Sequence, residues 1–528
     1  MIKTGRWFLA GVLLWAAGCL APAQGDAPDE LSRLKREIEE LKRRDAEKQR
    51  VIETLTKRLD ALQAALGAPV AEPAALSPPG EGSPPPRGHD ADEPAEGCTH
   101  AGHDHGKPGD DETASPRRME IALDVQAAVG GSTRPDPEIP LIEGGGHDPD
   151  RRGFTFRLAE LAFAGNVDPW FRVEAYLTAA IDSRTGETGV ELEEAFATTA
   201  CLPRGLQVKA GQFLTEFGRS NPTHPHAWTW LDQPIINTRV FGPDGMRGPG
   251  ARLSWEAPLP WRSRLFLGVQ NPSGQTMVSF LGDPGEAAED PDAPRRPLAV
   301  RPGFPGLAAA RHGGHASGAP GGWPVVDRPI GRLRDLVYLV RWDNAAELGP
   351  NAVLKGGGSW LRGPNATGPE AGTDIWGVDA LLHWHPDHHG GGGPAFTLTG
   401  EGIRRAYTAA ASLAADGHGG LVSLPETTLV DWGLNLQGVF TFRKGLAAGL
   451  RVEYASGSHD GVIPREADPL RADRLRLSPL FSWSPSHFSR FRLQYNYDRS
   501  DALDPRDSHS VWLGLEFMLG GHTAHEED

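Results

Sequence analysis

Residues 511–519 read VWLGLEFML, and residues 121–129 read IALDVQAAV. In both stretches every second residue is apolar, and the residues between them include Gly, Asp, Gln and Glu. Because successive side chains of a β-strand point to opposite faces, these stretches predict strands with one apolar and one polar face. A soluble β-sandwich would show the same alternation, so the pattern alone does not decide which environment the apolar face meets.

Strand-like segments recur sixteen times, at about 119–129, 154–164, 170–181, 190–200, 206–214, 247–255, 262–270, 336–343, 351–361, 373–384, 395–408, 427–442, 446–456, 474–483, 489–498 and 508–519. The links between them alternate between short turns, such as 443–445, and long stretches rich in Gly and Pro, such as 271–335. Transmembrane β-barrels have short turns on one rim and longer loops on the other, whereas a sandwich has no reason to sort its links in this way. We therefore predict an all-β fold, a transmembrane antiparallel β-barrel of about 16 strands over residues 118–520.

Aromatic and charged residues support the barrel. Aromatic side chains near predicted strand ends are typical of interfacial girdles, and they are Trp170, Phe171, Trp255, Trp261, Trp384, Trp483 and Phe488. Sixteen strands leave an aqueous lumen, which charged side chains should line. The charged pairs expected there are Arg172/Glu174, Glu191/Glu193 and Arg474/Arg476.

Composition excludes several other classes of protein. The chain has 528 residues, a formal net charge of −16, 66 Gly and 46 Pro. Hydrophobic residues make up 39% of it, which is too many for a chain that is disordered throughout. The acidic balance disfavours a nucleic-acid binder. The three Cys are too few for a disulfide scaffold.

The N-terminal region carries an export signal. Residues 1–25 combine a basic start at Lys3 and Arg6 with a short apolar run and an Ala-Pro-Ala cleavage site, which predicts a signal peptide. Lipid attachment at Cys19 is the alternative to ordinary cleavage. Both interpretations take the protein out of the cytoplasm.

A coiled coil and a linker are predicted between the signal peptide and the barrel. Residues 26–66 follow a heptad repeat of Leu and Ile, which predicts a periplasmic coiled coil of two, three or four helices. Residues 67–117 form a linker rich in Pro and His, and residues 521–528 form an acidic tail. We expect a homotrimer, held together by the coiled coil and the barrel.

The link at residues 215–246, here called the constriction loop, contains the strongest candidate site. Its side chains able to bind a solute or an ion are Glu216, Arg219, His224, His226, Trp228, Trp230 and Asp232. One interpretation is a weak site for a divalent metal or a polar solute, in which His224 and His226 act with Glu216 or Asp232. The other is that Trp228, Trp230 and the prolines pack the loop against the barrel wall while the His residues cap it.

Further His clusters are candidates for metal binding. They are His100, His103 and His105 in the linker, and His383, His385, His388 and His389 near a predicted turn. Imidazole is a common zinc ligand, but no cluster shows the closed spacing of a four-ligand structural site. We expect low-affinity capture of an ion such as zinc and predict no other cofactor.

Two groups of residues resemble known families. Signal, coiled coil, linker and barrel together resemble the phosphate-selective porin O and P family. Residues 161–170 (LAFAGNVDPW) and 211–234, which include NPTHPHAW, resemble proteins labelled zinc-regulated TonB-dependent outer-membrane receptors. These resemblances imply an outer-membrane protein whose barrel crosses the lipid.

The expected function follows from the predicted barrel. The first hypothesis is an outer-membrane porin that lets small ions or solutes pass, with divalent cations such as zinc as candidates. The alternative is a metal-capturing outer-membrane receptor whose barrel is plugged by its loops. Enzyme activity is not expected, because no nucleophile elbow, His-Glu-x-x-His motif or phosphate loop occurs.

Overall fold

The computed structural model of the chain describes residues 119–183, 185–283, 319–386, 393–415, 421–458 and 468–520. The chain divides into two compact units, residues 1–96 and 97–528, and every described residue belongs to the second unit. The predicted signal peptide, coiled coil, linker and acidic tail lie outside the described residues. Their assignments therefore stay predictions.

The described residues are mostly β-strands. The strands are β1 Met119–Ser132, β2 Gly153–Asn166, β3 Phe171–Ile181, β4 Thr188–Thr199, β5 Leu206–Leu214, β6 Arg247–Glu256, β7 Arg262–Gln270, β8 Val337–Glu347, β9 Ala352–Pro364, β10 Gly372–Trp384, β11 Ala395–Ala409, β12 Ser412–Ala415, β13 Leu421–Leu424, β14 Thr427–Arg443, β15 Leu446–Gly457, β16 Arg474–Ser486, β17 Ser489–Ser500 and β18 Asp507–Gly520. One short α-helix, α1, spans Ile235–Phe241 in the constriction loop.

Sixteen of these strands form one closed antiparallel barrel. Each pairs with its neighbours in chain order, and β1 pairs with β18 to close the ring, with Leu123 opposite Leu519. All sixteen predicted segments overlap a barrel strand, so the predicted fold class is confirmed. The sequence did not predict the hairpin of β12 and β13, because strands of four residues are too short for alternation to be visible.

The two faces of the strands meet different surroundings. On β18, Val511, Phe517 and Leu519 point outward and are 47%, 50% and 71% exposed. Trp512 and Glu516 point into the barrel and are buried. The apolar face of the sequence pattern is therefore the outer surface, and many of the polar residues face the interior. A soluble sandwich would bury the apolar face instead.

The links sort onto two rims of the barrel. The rim of short links joins β2 to β3, β4 to β5, β6 to β7, β8 to β9, β10 to β11, β14 to β15 and β16 to β17. Exposed aromatic side chains lie at this rim, among them Trp170, Trp261 and Phe488. The barrel also begins and ends there, because Met119 pairs with Gly165 at the end of β2.

Several links from the other rim pack inside the barrel. An apolar core cluster joins side chains of the constriction loop and of the link between β7 and β8 to inward-facing residues of the wall. Its members are Phe217, Ile235, Ile236, Val240, Phe241, Met246, Met277, Phe280, Val337, Leu339, Leu361, Ile375, Ile403 and Ala455. Among the described residues, no helix combines the length and the apolar character needed to cross a bilayer.

Candidate functional site

The constriction loop crosses the barrel interior and contacts the wall on several sides. Trp230 is buried, and its indole Nε1 donates a hydrogen bond to the Ser478 carbonyl of β16 at 3.0 Å. The backbone N–H of Leu231 donates to the Gln494 side chain of β17 at 2.8 Å. The backbone N–H of Arg219 donates to Glu401 of β11 at 3.1 Å. The prediction that Trp230 packs the loop against the wall agrees with these contacts.

Helix α1 packs the loop against the wall through apolar side chains. Ile236, Val240 and Phe241 are buried in the core cluster together with Ile403 and Ala455 of β11 and β15. The helix lies close to β14, because a Cβ placed on Gly433 would come within 2.8 Å of the Ile236 Cβ. This close approach requires glycine at that position of the strand.

Asp232 is surrounded by basic and amide groups. It forms ion pairs with Arg451 of β15 and Arg476 of β16, and it accepts a hydrogen bond from Asn496 at 3.1 Å. Arg476 also binds Glu143, from the link between β1 and β2, at 2.9 Å. Burial alone would raise the pKa of Asp232, but Arg451 and Arg476 hold it below its ordinary value. Asp232 is therefore a loop anchor and does not lie beside His224 as expected.

Glu216 and Arg219 also bind partners of opposite charge on the wall. The Glu216 carboxylate lies 3.0 Å from Lys209 Nζ and 2.8 Å from Arg252 Nε. Burial opposes ionisation of Glu216, but these two cations lower its pKa from 4.5 to about 2. Arg219 Nε lies 2.9 Å from Asp379 of β10. Neither Glu216 nor Asp232 is thus the carboxylate partner of His224.

His224 instead lies among three carboxylates of β2 and β4. Its Nδ1 is 3.0 Å from Glu160 Oε2 and 3.4 Å from Glu193 Oε2, and its Nε2 is 2.7 Å from Glu194 Oε2. Burial alone would lower the pKa of His224, but these carboxylates raise it well above its ordinary value. His226 joins the same group, with Nδ1 3.0 Å from Glu160 Oε1. The predicted association of the two His residues is present, with rings stacked 5.7 Å apart.

A further residue of this site comes from a different link. His147, between β1 and β2, places Nε2 at 3.4 Å from Glu193 Oε1 and 3.9 Å from Asp244. His147 is buried, and its Nδ1 has no hydrogen-bond partner among the described residues. A small pocket of about 20 Å³, enough for about one water molecule, is lined in part by His147, Glu193 and His224. The buried group is thus next to open space.

A β-bulge explains why two consecutive Glu residues face inward. The pairing of β3 with β4 shifts between Tyr176 and Leu177, so that Tyr176 lies opposite Glu194 and Leu177 opposite Leu192. Glu193 is the extra residue, and both it and Glu194 are buried. The Glu191 side chain is 50% exposed, and its carboxylate lies 2.5 Å from the buried Arg247 of β6, so the expected lumen-facing pair of Glu191 and Glu193 stays a prediction.

The sequence interpretation missed His147, Glu160 and Glu194 as members of this group. Glu160 could have been found from the sequence, because the alternation of β2 places it on the inward face together with Ala162 and Ala164. No local signal marks the bulge in β4 or the inward path of the link that carries His147. Those two features depend on contacts with distant strands.

The remaining predicted residues lie elsewhere. The Trp228 indole Nε1 donates to the Thr223 carbonyl within its own loop at 2.9 Å. His383 contacts the Thr397 hydroxyl at 2.9 Å, and its ring stacks on His385 at 6.4 Å. The other five predicted metal-binding residues lie outside the described part of the chain, and they are His100, His103, His105, His388 and His389.

The chain is similar to one curated protein of unknown role and to several solved barrels. An uncharacterized protein of Aquifex aeolicus is 29% identical over 426 residues, covering 77% of this chain and 79% of the relative. No family model matches the chain. The outer membrane channel DcaP of Acinetobacter baumannii aligns with 76% of this chain and 97% of its own, at 11% identity and a TM-score of 0.43.

Two further solved structures are similarly distant. The anion-selective porin of Comamonas acidovorans aligns with 76% of this chain and 100% of its own, at 8% identity and a TM-score of 0.41. The trimer form of the outer membrane protein OmpT of Vibrio cholerae aligns with 77% and 100%, at 7% identity and a TM-score of 0.42. With likenesses this distant, the function has to be argued from the chain's own residues.

Proposed function

We propose that this chain is an outer-membrane porin that gives passive passage to small ions or solutes. The observation that carries the proposal is a closed barrel with an apolar outer face and a charged interior. A closed barrel leaves no unpaired strand edge, which is the condition for crossing a bilayer with strands. Leu434, Leu436 and Val378 are examples of outward side chains that are more than half exposed.

Some polar groups of the barrel interior have no partner among the described residues. Asn237 is fully buried, and neither its Oδ1 nor its Nδ2 has a hydrogen-bond partner among the described residues. Arg239 Nε and Nη1 and Asn435 Oδ1 are also buried without a hydrogen-bond partner among the described residues. Each such group costs about 1–3 kcal/mol while it is buried without a partner.

The constriction loop would set the selectivity of the passage. His224 of the loop lies among carboxylates of β2 and β4, and other residues of the loop contact the buried Arg451, Arg476 and Arg492 of β15 to β17. Pore radius and the placement of charge at a constriction determine which ions pass. We propose divalent cations such as zinc as candidate solutes, because they suit imidazole and carboxylate groups.

The orientation and assembly are also proposed. The barrel begins at the rim of short links, which in outer-membrane barrels faces the periplasm. The predicted coiled coil at residues 26–66 would then lie in the periplasm and hold a homotrimer. Outer-membrane lipid would contact the apolar outer face.

Single-channel recording in planar bilayers tests the proposal. The full chain should give stepwise conductance that grows with salt concentration and needs no energy source. Replacing Trp230 with Ala should increase the conductance, since the loop loses its packing against β16. A correctly folded barrel without any conductance would exclude a porin.

The alternative function is a metal-capturing receptor with a plugged barrel. The core cluster favours it, because loop residues such as Phe241 and Phe280 are packed on the inner wall as in a protein core. Such a receptor would retain zinc while showing no passive conductance. The bilayer recording, combined with zinc retention on the same preparation, therefore separates the two functions.

A further inference from the structure

We infer that His224, Glu160 and Glu193 form a binding site for one divalent transition-metal ion, for which zinc is the best probe. This inference deepens the proposed function, because it gives the lumen a specific cation, but ion binding does not require conduction. One ligand atom from each residue lies within 4.8 Å of the others, and all three residues are buried. Neutral imidazole with two carboxylates is a ligand set that zinc accepts.

The distances suit a tetrahedral ion. Zinc bonds of ~2.0–2.1 Å at tetrahedral angles place neighbouring ligand atoms about 3.3 Å apart. His224 Nδ1 lies 3.0 Å from Glu160 Oε2 and 3.4 Å from Glu193 Oε2. These two distances match the tetrahedral spacing, and the ligand atoms of Glu160 and Glu193 lie within 4.8 Å of each other, so an ion can replace the proton on Nδ1.

Each of the three ligands is oriented by a further residue. The Nε2 of His224 is 2.7 Å from the Glu194 carboxylate, which can only accept, so Nε2–H donates and Nδ1 is directed at the site. This carboxylate–histidine arrangement is the usual support of a metal-binding imidazole.

The two carboxylate ligands are held in the same way. The second oxygen of Glu160 lies 3.0 Å from His226, and the second oxygen of Glu193 lies 3.4 Å from His147. A set of surface acidic groups would lack such outer support. Here each ligand uses one atom for the site and another for a partner.

An ion can approach the site from one side. The neighbouring pocket is lined by His224 and Glu193 but also by Asp244, whose charge attracts cations. His147 lies at the same pocket, and in the part of the chain that the structure describes its Nδ1 has no hydrogen-bond partner. The open side leaves room for a fourth ligand, either water or His147 after a rotation.

Titration of the full chain, folded in detergent, with Zn²⁺ alone tests the site. Calorimetry gives the number of bound ions, which includes any captured by the other His clusters. Glu193→Gln and His224→Gln should each lose one equivalent of zinc. Glu401→Gln is the matched control, because Glu401 is also a buried inward carboxylate bonded to the constriction loop but belongs to β11, seven strands from β4 around the barrel.

A second variant tests the outer support without removing a ligand. Glu194→Gln should keep the number of bound ions and weaken zinc binding at this site by about 10- to 100-fold. The heat-dependent electrophoretic shift of folded barrels confirms that each variant is folded. An unchanged zinc count in both Glu193→Gln and His224→Gln overturns the site, and so does an equal loss in Glu401→Gln.

Zinc titration and bilayer recording can overturn the metal site and the porin proposal separately. If one equivalent of zinc is lost in the two ligand variants while no preparation conducts, the site stands and the porin proposal is overturned. If the barrel conducts and the zinc count never changes, the porin proposal stands and the metal site is overturned.

Discussion

Buried ionic contacts attach the constriction loop to separate parts of the wall. Asp232 contacts Arg451 and Arg476, whereas Glu216 contacts Lys209 and Arg252. Removing one member of a buried pair leaves its partner charged and without compensation, which is more costly than the net value of the pair. The loop position is therefore sensitive to single charge changes.

The first prediction concerns Asp232. Asp232→Asn should lower the free energy of unfolding by about 3–5 kcal/mol, because two buried guanidinium groups lose their shared carboxylate. Asp136→Asn is the control, since Asp136 forms an exposed ion pair with Arg152 at 2.7 Å and should cost about 0–1 kcal/mol. Equilibrium unfolding of the folded barrel in denaturant measures both. Equal losses in the two variants would contradict the anchoring role.

The second prediction concerns pH and Glu216. Its pKa is lowered from 4.5 to about 2, so its ion pairs stabilise the folded state above about pH 4.5 and this contribution fades as the pH falls toward 2. Glu216→Gln should be less stable than the wild type at pH 7, and the difference should narrow over that acid range. Unfolding free energies of both proteins across pH measure it. A difference that stays constant down to pH 2 would show that folding does not lower the pKa of Glu216.

Single irregular elements decide where functional side chains lie. The bulge in β4 turns Glu193 and Glu194 to the same side, and α1 holds the constriction loop on β14 and β15. The bulge interrupts the alternation of β4, because in a regular strand Glu193 and Glu194 would point to opposite faces. The site thus depends on these irregularities as much as on the regular strands.

The third prediction tests the packing of α1 against β14. Gly433→Ala should destabilise the barrel by about 1–3 kcal/mol, because the new Cβ meets the Tyr454 carbonyl oxygen at 2.7 Å and Ile236 at 2.8 Å. Gly438→Ala on the same strand is the control, since its Cβ would meet nothing closer than 3.9 Å. Denaturant unfolding compares the two. If both substitutions are tolerated equally, α1 does not pack closely on β14.

At the scale of the molecule, the rims give the barrel a direction. Short links and exposed Trp residues lie at one rim, and most of the long links, including the constriction loop, leave from the other. With the chain entering β1 at the rim of short links, that rim should face the periplasm.

The fourth prediction tests this orientation in intact cells. In a chain with Cys98 and Cys201 replaced by Ser, Thr185→Cys should react with a maleimide that cannot cross membranes. Lys444→Cys should react only after the outer membrane is opened. Both positions are exposed and lie on opposite rims. The reverse labelling pattern would mean that the barrel is inserted the other way round.

The regular part of the fold was predictable, and most of the site was not. Each barrel strand was predicted, because alternation is a property of neighbouring residues and survives in the sequence. Of the site, His224 and His226 were predicted as a pair, but Glu216 and Asp232 were expected beside them. Charge complementarity with distant Arg and Lys residues placed those two carboxylates elsewhere.

Strand number, the two faces of each strand and the sorting of links follow from local patterns, since a side chain's face depends only on its phase along the strand. The partners of His224 do not, because Glu160 and Glu194 lie 64 and 30 residues away and meet it only when the loop folds inward. Which charges meet in the lumen depends on the path of the links and on a bulge that shifts the phase of β4. Those features are set by packing across the barrel, where residues distant in sequence compete for the same space.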